Sequence, residues 1–153
     1  MNRSTIGAAL VCLVLCATTG CGYVRQMSSP TLKRLAGQGG GMVPNEADAI
    51  AFQSSKFGDE QLASAFADLK AYGFRDVNFR GSAISDRSVP LVAQLHTVRT
   101  LNLVGTRVTP AGYAGLRPMK SLRLLWADEE ALGAAGLDEL RSTLKGVEVR
   151  AGG

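Results

Sequence analysis

The chain's one histidine, His96, is the natural place to look for proton transfer, because imidazole alone among the side chains has an ordinary pKa near neutrality. Acid–base or nucleophilic catalysis also needs a serine, cysteine or carboxylate positioned to work with it. The surrounding A-Q-L-H-T-V-R offers no such partner, and His96 reads as a solvated residue between a helix end and a strand. The acidic run Asp128-Glu129-Glu130 would attract a cation, yet it lacks the alternating oxygen ligands of a calcium loop and reads as a solvated turn. In G-Q-G-G-G, residues 37–41, the last glycine of a phosphate-cradling G-x-G-x-x-G is missing and no strand feeds the run. It reads as a flexible linker. All three cysteines, Cys12, Cys16 and Cys21, lie within the first 21 residues, which excludes a disulfide-stapled domain and a cysteine metal site in the remainder. The residues therefore imply no catalytic group, no metal and no cofactor, and an enzyme is not expected.

Cys21 has a different meaning. Residues 1–20 hold a short start with Arg3, an apolar run from Ile6 to Ala17, and the small residues T-T-G before Cys21. This is the shape of a secretory signal, and the apolar run is too short to span a bilayer comfortably. It resembles the signal of bacterial lipoproteins, in which a cysteine after a small residue is cut to become the new N-terminus and is acylated. Gly20-Cys21 matches the cleavage pair, while Thr18 stands where that family usually has Leu. The resemblance implies lipidation at Cys21 and an exported chain anchored to a bacterial membrane, on its periplasmic or cell-surface side. A cut at another small residue would instead release a secreted protein, and an uncut segment would be a weak anchor. Residues 21–44 then read as the lipidated cysteine and a flexible tether, poor in apolar side chains and carrying Arg25, Lys33 and Arg34. Removing residues 1–20 takes away only Arg3 and leaves 16 basic against 13 acidic residues, a net +3. A balance so mild, without basic-aromatic clusters, argues against nucleic acid as a partner.

What remains, residues 45–153, must supply the domain, and it is periodic. At a spacing of 24, Phe74, Val98 and Leu122 align, as do Val77, Leu101 and Leu125, then Phe79, Leu103 and Ala127, then Ile84, Val108 and Leu132. Val89, Tyr113 and Leu137 follow, with Val92, Leu116 and Leu140. A step of 27 reaches back from Val77, Phe79, Ile84 and Asp86 to Ile50, Phe52, Phe57 and Asp59, and V-E-V at 147–149 supplies a last short strand. Each unit runs strand, tight turn, helix, giving about five strands and four intervening helices. Within T-L-N-L-V, residues 100–104, Leu101 and Leu103 point inward while Thr100, Asn102 and Val104 point out, as pleating dictates. Thr109 is placed to cap the helix that Pro110 begins, and Ser85 and Asp86 offer the same start one repeat earlier. D-E-Q-L-A-S-A-F-A-D-L-K-A-Y-G, Asp59 to Gly73, reads as a capping helix with a glycine stop.

V-R-T-L-N-L-V-G-T-R-V, residues 98–108, resembles the leucine-rich repeat pattern L-x-x-L-x-L-x-x-N/C-x-L, with Thr106 where the family often has Asn or Cys. The G-T-x-V-T-x-A-G segment is similar to a bacterial subclass with ribonuclease-inhibitor-like helices. The resemblance implies an α/β fold, a short solenoid with about five parallel strands on a concave face and helices on the convex face. No single unit buries its apolar side, so the repeats must stack. Two function classes follow: a protein-binding module at the cell envelope, taking an unknown protein partner on the strand face, or a structural envelope component without a dedicated ligand.

The outward positions decide between them. The central column reads Ala51, Asn78, Asn102, Trp126 and Glu148, flanked by Asp76, Thr100 and Leu124 on one side and by Arg80, Val104 and Asp128 on the other. The candidate partner-binding residues are Asn78, Arg80, Asn102, Val104, Leu124 and Trp126, with Val104, Leu124 and Trp126 expected as an apolar patch. Trp126 is equally readable as a cap residue folded against the last strand. A ligand site predicts clustered apolar side chains on this face; a spacer predicts a solvated, mixed one.

Overall fold

A computed structural model describes residues 29–43 and 48–153. The signal segment 1–20 and Cys21 lie outside the described residues. The chain is α/β, and its elements are α1 (Pro30–Gly37), β1 (Gly41–Met42), β2 (Ala49–Ala51), α2 (Asp59–Tyr72), β3 (Asp76–Asn78), α3 (Val89–Val92), β4 (Thr100–Asn102), α4 (Pro110–Ala114), β5 (Leu124–Asp128), α5 (Glu129–Thr143) and β6 (Glu148–Gly152). The strands form one sheet in sequence order; β2 to β6 are mutually parallel, and β1 adds to β2 antiparallel.

The pairing register carries the sequence period. Val77 stands beside Leu101 and Leu101 beside Leu125, while Ile50 stands beside Val77 across the longer first step. Of the six apolar columns, every member is buried except Leu132, which is partly so. A parallel pair needs a crossover, and each one here is helical. Leu62, Ala65 and Leu69 of α2 join Leu137 and Leu140 of α5 in the same core as the inward strand residues. Phe52, Phe57 and Phe79 stack inside the first two units, with Phe52 and Phe57 centred 4.2 Å apart.

The turn after each strand is built from a repeated device. Asn78 Oδ1 accepts from Arg80 N at 2.9 Å, and Asn102 Oδ1 accepts from Val104 N at 3.0 Å. Gly81 and Gly105 follow at φ 69° and 67°, a conformation that disfavours a side chain. Carboxylates then tie one unit to the next. Asp59 accepts from Ser85 N and Oγ and from Ser88 Oγ, and Asp86 accepts from Thr109 N and Oγ1. Partial burial pushes the Asp59 carboxyl up, but these hydrogen bonds outweigh it and hold it below the usual carboxylate range.

Several expectations are corrected. The tether reading of residues 21–44 does not describe residues 30–43: Leu32 and Leu35 of α1 enter the core, and Arg34 pairs with Asp68 of α2. The glycine run joins α1 to β1 and is packed at Gly40, where a Cβ would lie 2.8 Å from Phe52 Cε1 and 2.9 Å from the Leu35 carbonyl oxygen. Helix α2 ends on Gly73 in the left-handed conformation, as its sequence indicates, but α1 packs outside it, so α2 does not close that end alone. Thr109 occupies the N-cap position of α4 without capping through its side chain, which is committed to Asp86. The earlier helix starts at Val89 rather than at Ser85 and Asp86. The last strand is longer than V-E-V, reaching Gly152, and this changes the face considered next.

Candidate functional site

The outward face of the sheet is built by strand alternation. Val77, Leu101 and Leu125 turn inward, so Asp76 and Asn78, Thr100 and Asn102, and Leu124 and Trp126 turn out, and all six are half-buried. Asp76, Asn78, Thr100, Asn102 and Trp126, with Ala49 and Ile50 of β2 and Val43 beyond β1, line a shallow groove of about 220 Å³ across four strands. Its lining is mixed, with a carboxylate, two amides and a hydroxyl beside the apolar residues Val43, Ala49, Ile50, Val77 and Trp126. The two amide oxygens are already engaged in the turns described above, which fixes the orientation of both side chains.

The C-terminal side of this face differs from expectation. Trp126 stands beside Arg150, not Glu148, which pairs in register with Leu124. The Arg150 guanidinium lies 5.4 Å from the Trp126 ring centre and also bonds Glu148 at 2.7 Å. Because β5 and β6 run two residues further than β4, Gly152 passes over Val104: a Cβ there would meet Val104 Cγ2 at 2.7 Å. Val104 is only 3% exposed, so it is withdrawn from the candidate site. Arg80 is exposed but is drawn to the same crossing, donating to the Gly153 carbonyl oxygen at 2.8 Å. The apolar patch of Val104, Leu124 and Trp126 therefore does not exist as an open surface. Asn78, Asn102 and Trp126 are brought together in the groove, Leu124 borders it, and Arg80 and Val104 belong to the covered end.

The sequence reading missed Val43, Asp76, Thr100 and Arg150 as members or borders of this surface. Asp76 and Thr100 carried the outward signal of period two and were set aside as neighbours; Arg150 is one more 24-residue step from Trp126. Val43 had no signal, since its segment reads as linker.

The other titratable candidates lie elsewhere. His96 is exposed before β4. Asp128 ends β5, accepts from Ala131 N at 3.1 Å as the cap of α5, and accepts from Gly105 N at 2.6 Å. Glu129 and Glu130 form the first turn of α5, where negative charge suits the helix dipole, so strand passes into helix without a solvated turn. Among the described residues no three histidine, cysteine or acidic side chains gather as a metal site. Tyr113 is fully buried beneath β4 and β5, where its hydroxyl accepts from Asp128 N at 3.1 Å. Burial first, and the Asp128 carboxylate with it, push this phenol up to about 12 against that hydrogen bond. A neutral, enclosed phenol of this kind is a packing group.

No protein-family model matches the chain, and no curated protein matches it significantly.

Proposed function

We propose that the chain is a short leucine-rich repeat solenoid behind a bacterial lipoprotein signal, anchored through Cys21 and acting as a protein-binding module at the cell envelope. The observation that supports this most is the groove on the strand face, where Asp76, Asn78, Thr100, Asn102 and Trp126 share one half-buried surface of mixed polarity. Repeat folds present such a sheet to partners because loops and helices occupy the other side. Polar donors and acceptors around one aromatic suit an extended protein segment that bonds through its backbone and places one side chain against the indole.

The test is a cross-linking pull-down from membranes holding the full-length protein, with wild type compared to Asn102→Arg. A discrete partner captured by wild type and lost from the variant supports the reading; equal capture contradicts it. Membrane fractionation of Cys21→Ala tests the anchor separately, since a variant still matured and membrane-bound would contradict lipidation.

One observation favours the second reading, a structural envelope component. The expected apolar patch is covered, and the face that remains is mixed, which is what a passive spacer predicts. Under that reading no discrete partner is captured from either protein.

A further inference from the structure

We propose that the edge at which the parallel strands begin is a docking surface for the phosphate headgroups of an anionic membrane. Arg75, Arg99 and Arg123 occupy equivalent positions in three successive units, one residue before β3, β4 and β5. Backbone bonds place them side by side: Arg99 N donates to the Arg75 carbonyl at 2.7 Å, and Arg123 N to the Arg99 carbonyl at 2.8 Å. Adjacent strands lie about 4.8 Å apart, so three cationic side chains start from a row spanning about 10 Å. All three are exposed, and so are Lys120 and Lys145, in the loops that lead into β5 and β6.

Bonds within the fold account for only part of this row. Like charges on neighbouring strands oppose pairing. Little nearby charge offsets them. Among the described residues Asp48 is the one carboxylate paired with the row, 3.6 Å from Arg75 with both groups more than half exposed. Asp76 lines the groove and Glu148 is bonded to Arg150. Arg123 spends one nitrogen on the Lys120 and Leu122 carbonyls, which holds its side chain at the edge. A row of guanidinium groups with a strand's spacing suits a surface that presents many phosphates, because each fork takes phosphate oxygens in two-point contact. A flat array of headgroups can engage all three at once.

The choice of a membrane rests on the lipid-anchor reading of residues 1–21, which would hold the chain at a bilayer. The test does not use the lipid, so the two ideas fail separately. The unlipidated full chain carrying Cys21→Ala is mixed with vesicles of phosphatidylglycerol and phosphatidylcholine in equal parts, and with phosphatidylcholine alone. The ratio of the two affinities removes any contribution from the apolar run. A basic side chain near an anionic surface contributes about 1 kcal/mol, roughly fivefold in partition. The triple change Arg75→Gln, Arg99→Gln and Arg123→Gln should therefore lower the ratio about a hundredfold, while the corresponding triple lysine variant, which keeps the charge but not the two-point fork, should fall between that variant and the unsubstituted chain. About 1 M salt, where the screening length falls to about 3 Å, should abolish the preference of the unsubstituted chain. That salt arm needs no variant to fold. No preference for anionic vesicles, or a preference indifferent to salt, overturns the proposal. So does tighter binding to a short DNA duplex than to the vesicles, which would assign the row to nucleic acid.

Discussion

Replacing Gly40 by alanine tests whether residues 30–43 belong to the folded domain. A Cβ at this position would stand 2.8 Å from Phe52 Cε1, 2.9 Å from the Leu35 carbonyl oxygen and 3.1 Å from Ile50 Cδ1. None of these neighbours gives way easily. Phe52 and Ile50 are buried core residues, and the Leu35 carbonyl is fixed by accepting from Gly40 N at 2.8 Å. Overpacking of this kind destabilises by about 1 to 3 kcal/mol. The upper end applies if relief comes from lifting α1, which would also expose Leu32 and Leu35. Gly41 is the internal control, because a Cβ there meets only the Ala51 carbonyl, at 3.8 Å. Gly41→Ala should be neutral or stabilise by up to about 1 kcal/mol through loss of unfolded-chain freedom. Urea denaturation followed by far-ultraviolet circular dichroism reads both variants. A midpoint lowered for Gly40→Ala and unchanged or raised for Gly41→Ala is expected; equal midpoints would refute the packed turn and restore the linker reading.

Leu103→Ala should destabilise by about 2 to 5 kcal/mol, since Leu103 is buried in the core, whereas Asn102→Ala should cost about 1 kcal/mol through the lost bond to Val104 N; comparable denaturation midpoints would contradict the strand register. Asp59→Ala leaves Ser88 Oγ, only 1% exposed, without its acceptor and should cost about 1 to 3 kcal/mol. Because the folded Asp59 carboxyl titrates below its ordinary value, its contribution is full above the unfolded pKa and is lost as pH falls through the folded one. Thermal melts of wild type and Asp59→Ala should thus converge toward acid pH, and a constant gap would exclude this source. Trp126, the sole tryptophan, is half-buried beside Arg150, so Arg150→Ala should red-shift its emission and increase quenching by iodide; unchanged emission would place the indole away from that guanidinium.

The parallel strands were legible because one spacing governs them. A 24-residue step that repeats across six apolar columns leaves a single register in which all of them face one core, and Val77, Leu101 and Leu125 obey it. Segment 30–43 was not legible for the opposite reason. Leu32 and Leu35 are too few to display a helical period, and the glycines around Gly40 signal flexibility in composition, although Gly40 itself serves close approach in space. Alternation along β4 puts Val104 outward, but only the extra length of β5 and β6 determines that Gly152 lies over it. The groove followed the alternation and was largely foreseeable in Asn78, Asn102 and Trp126. Thr109 failed as a cap because a carboxylate from the preceding unit, Asp86, competes for its hydroxyl.

The central claim, that the strand face receives a protein partner, is tested most directly by position-resolved photo-cross-linking in intact membranes. A photoreactive side chain is placed in turn at Thr100 and Asn102 in the groove, and at Glu139 on the exposed side of α5. The account predicts one adduct of the same mass from both groove positions and none from Glu139. Adducts of equal yield from all three positions, or none from the groove, would contradict it.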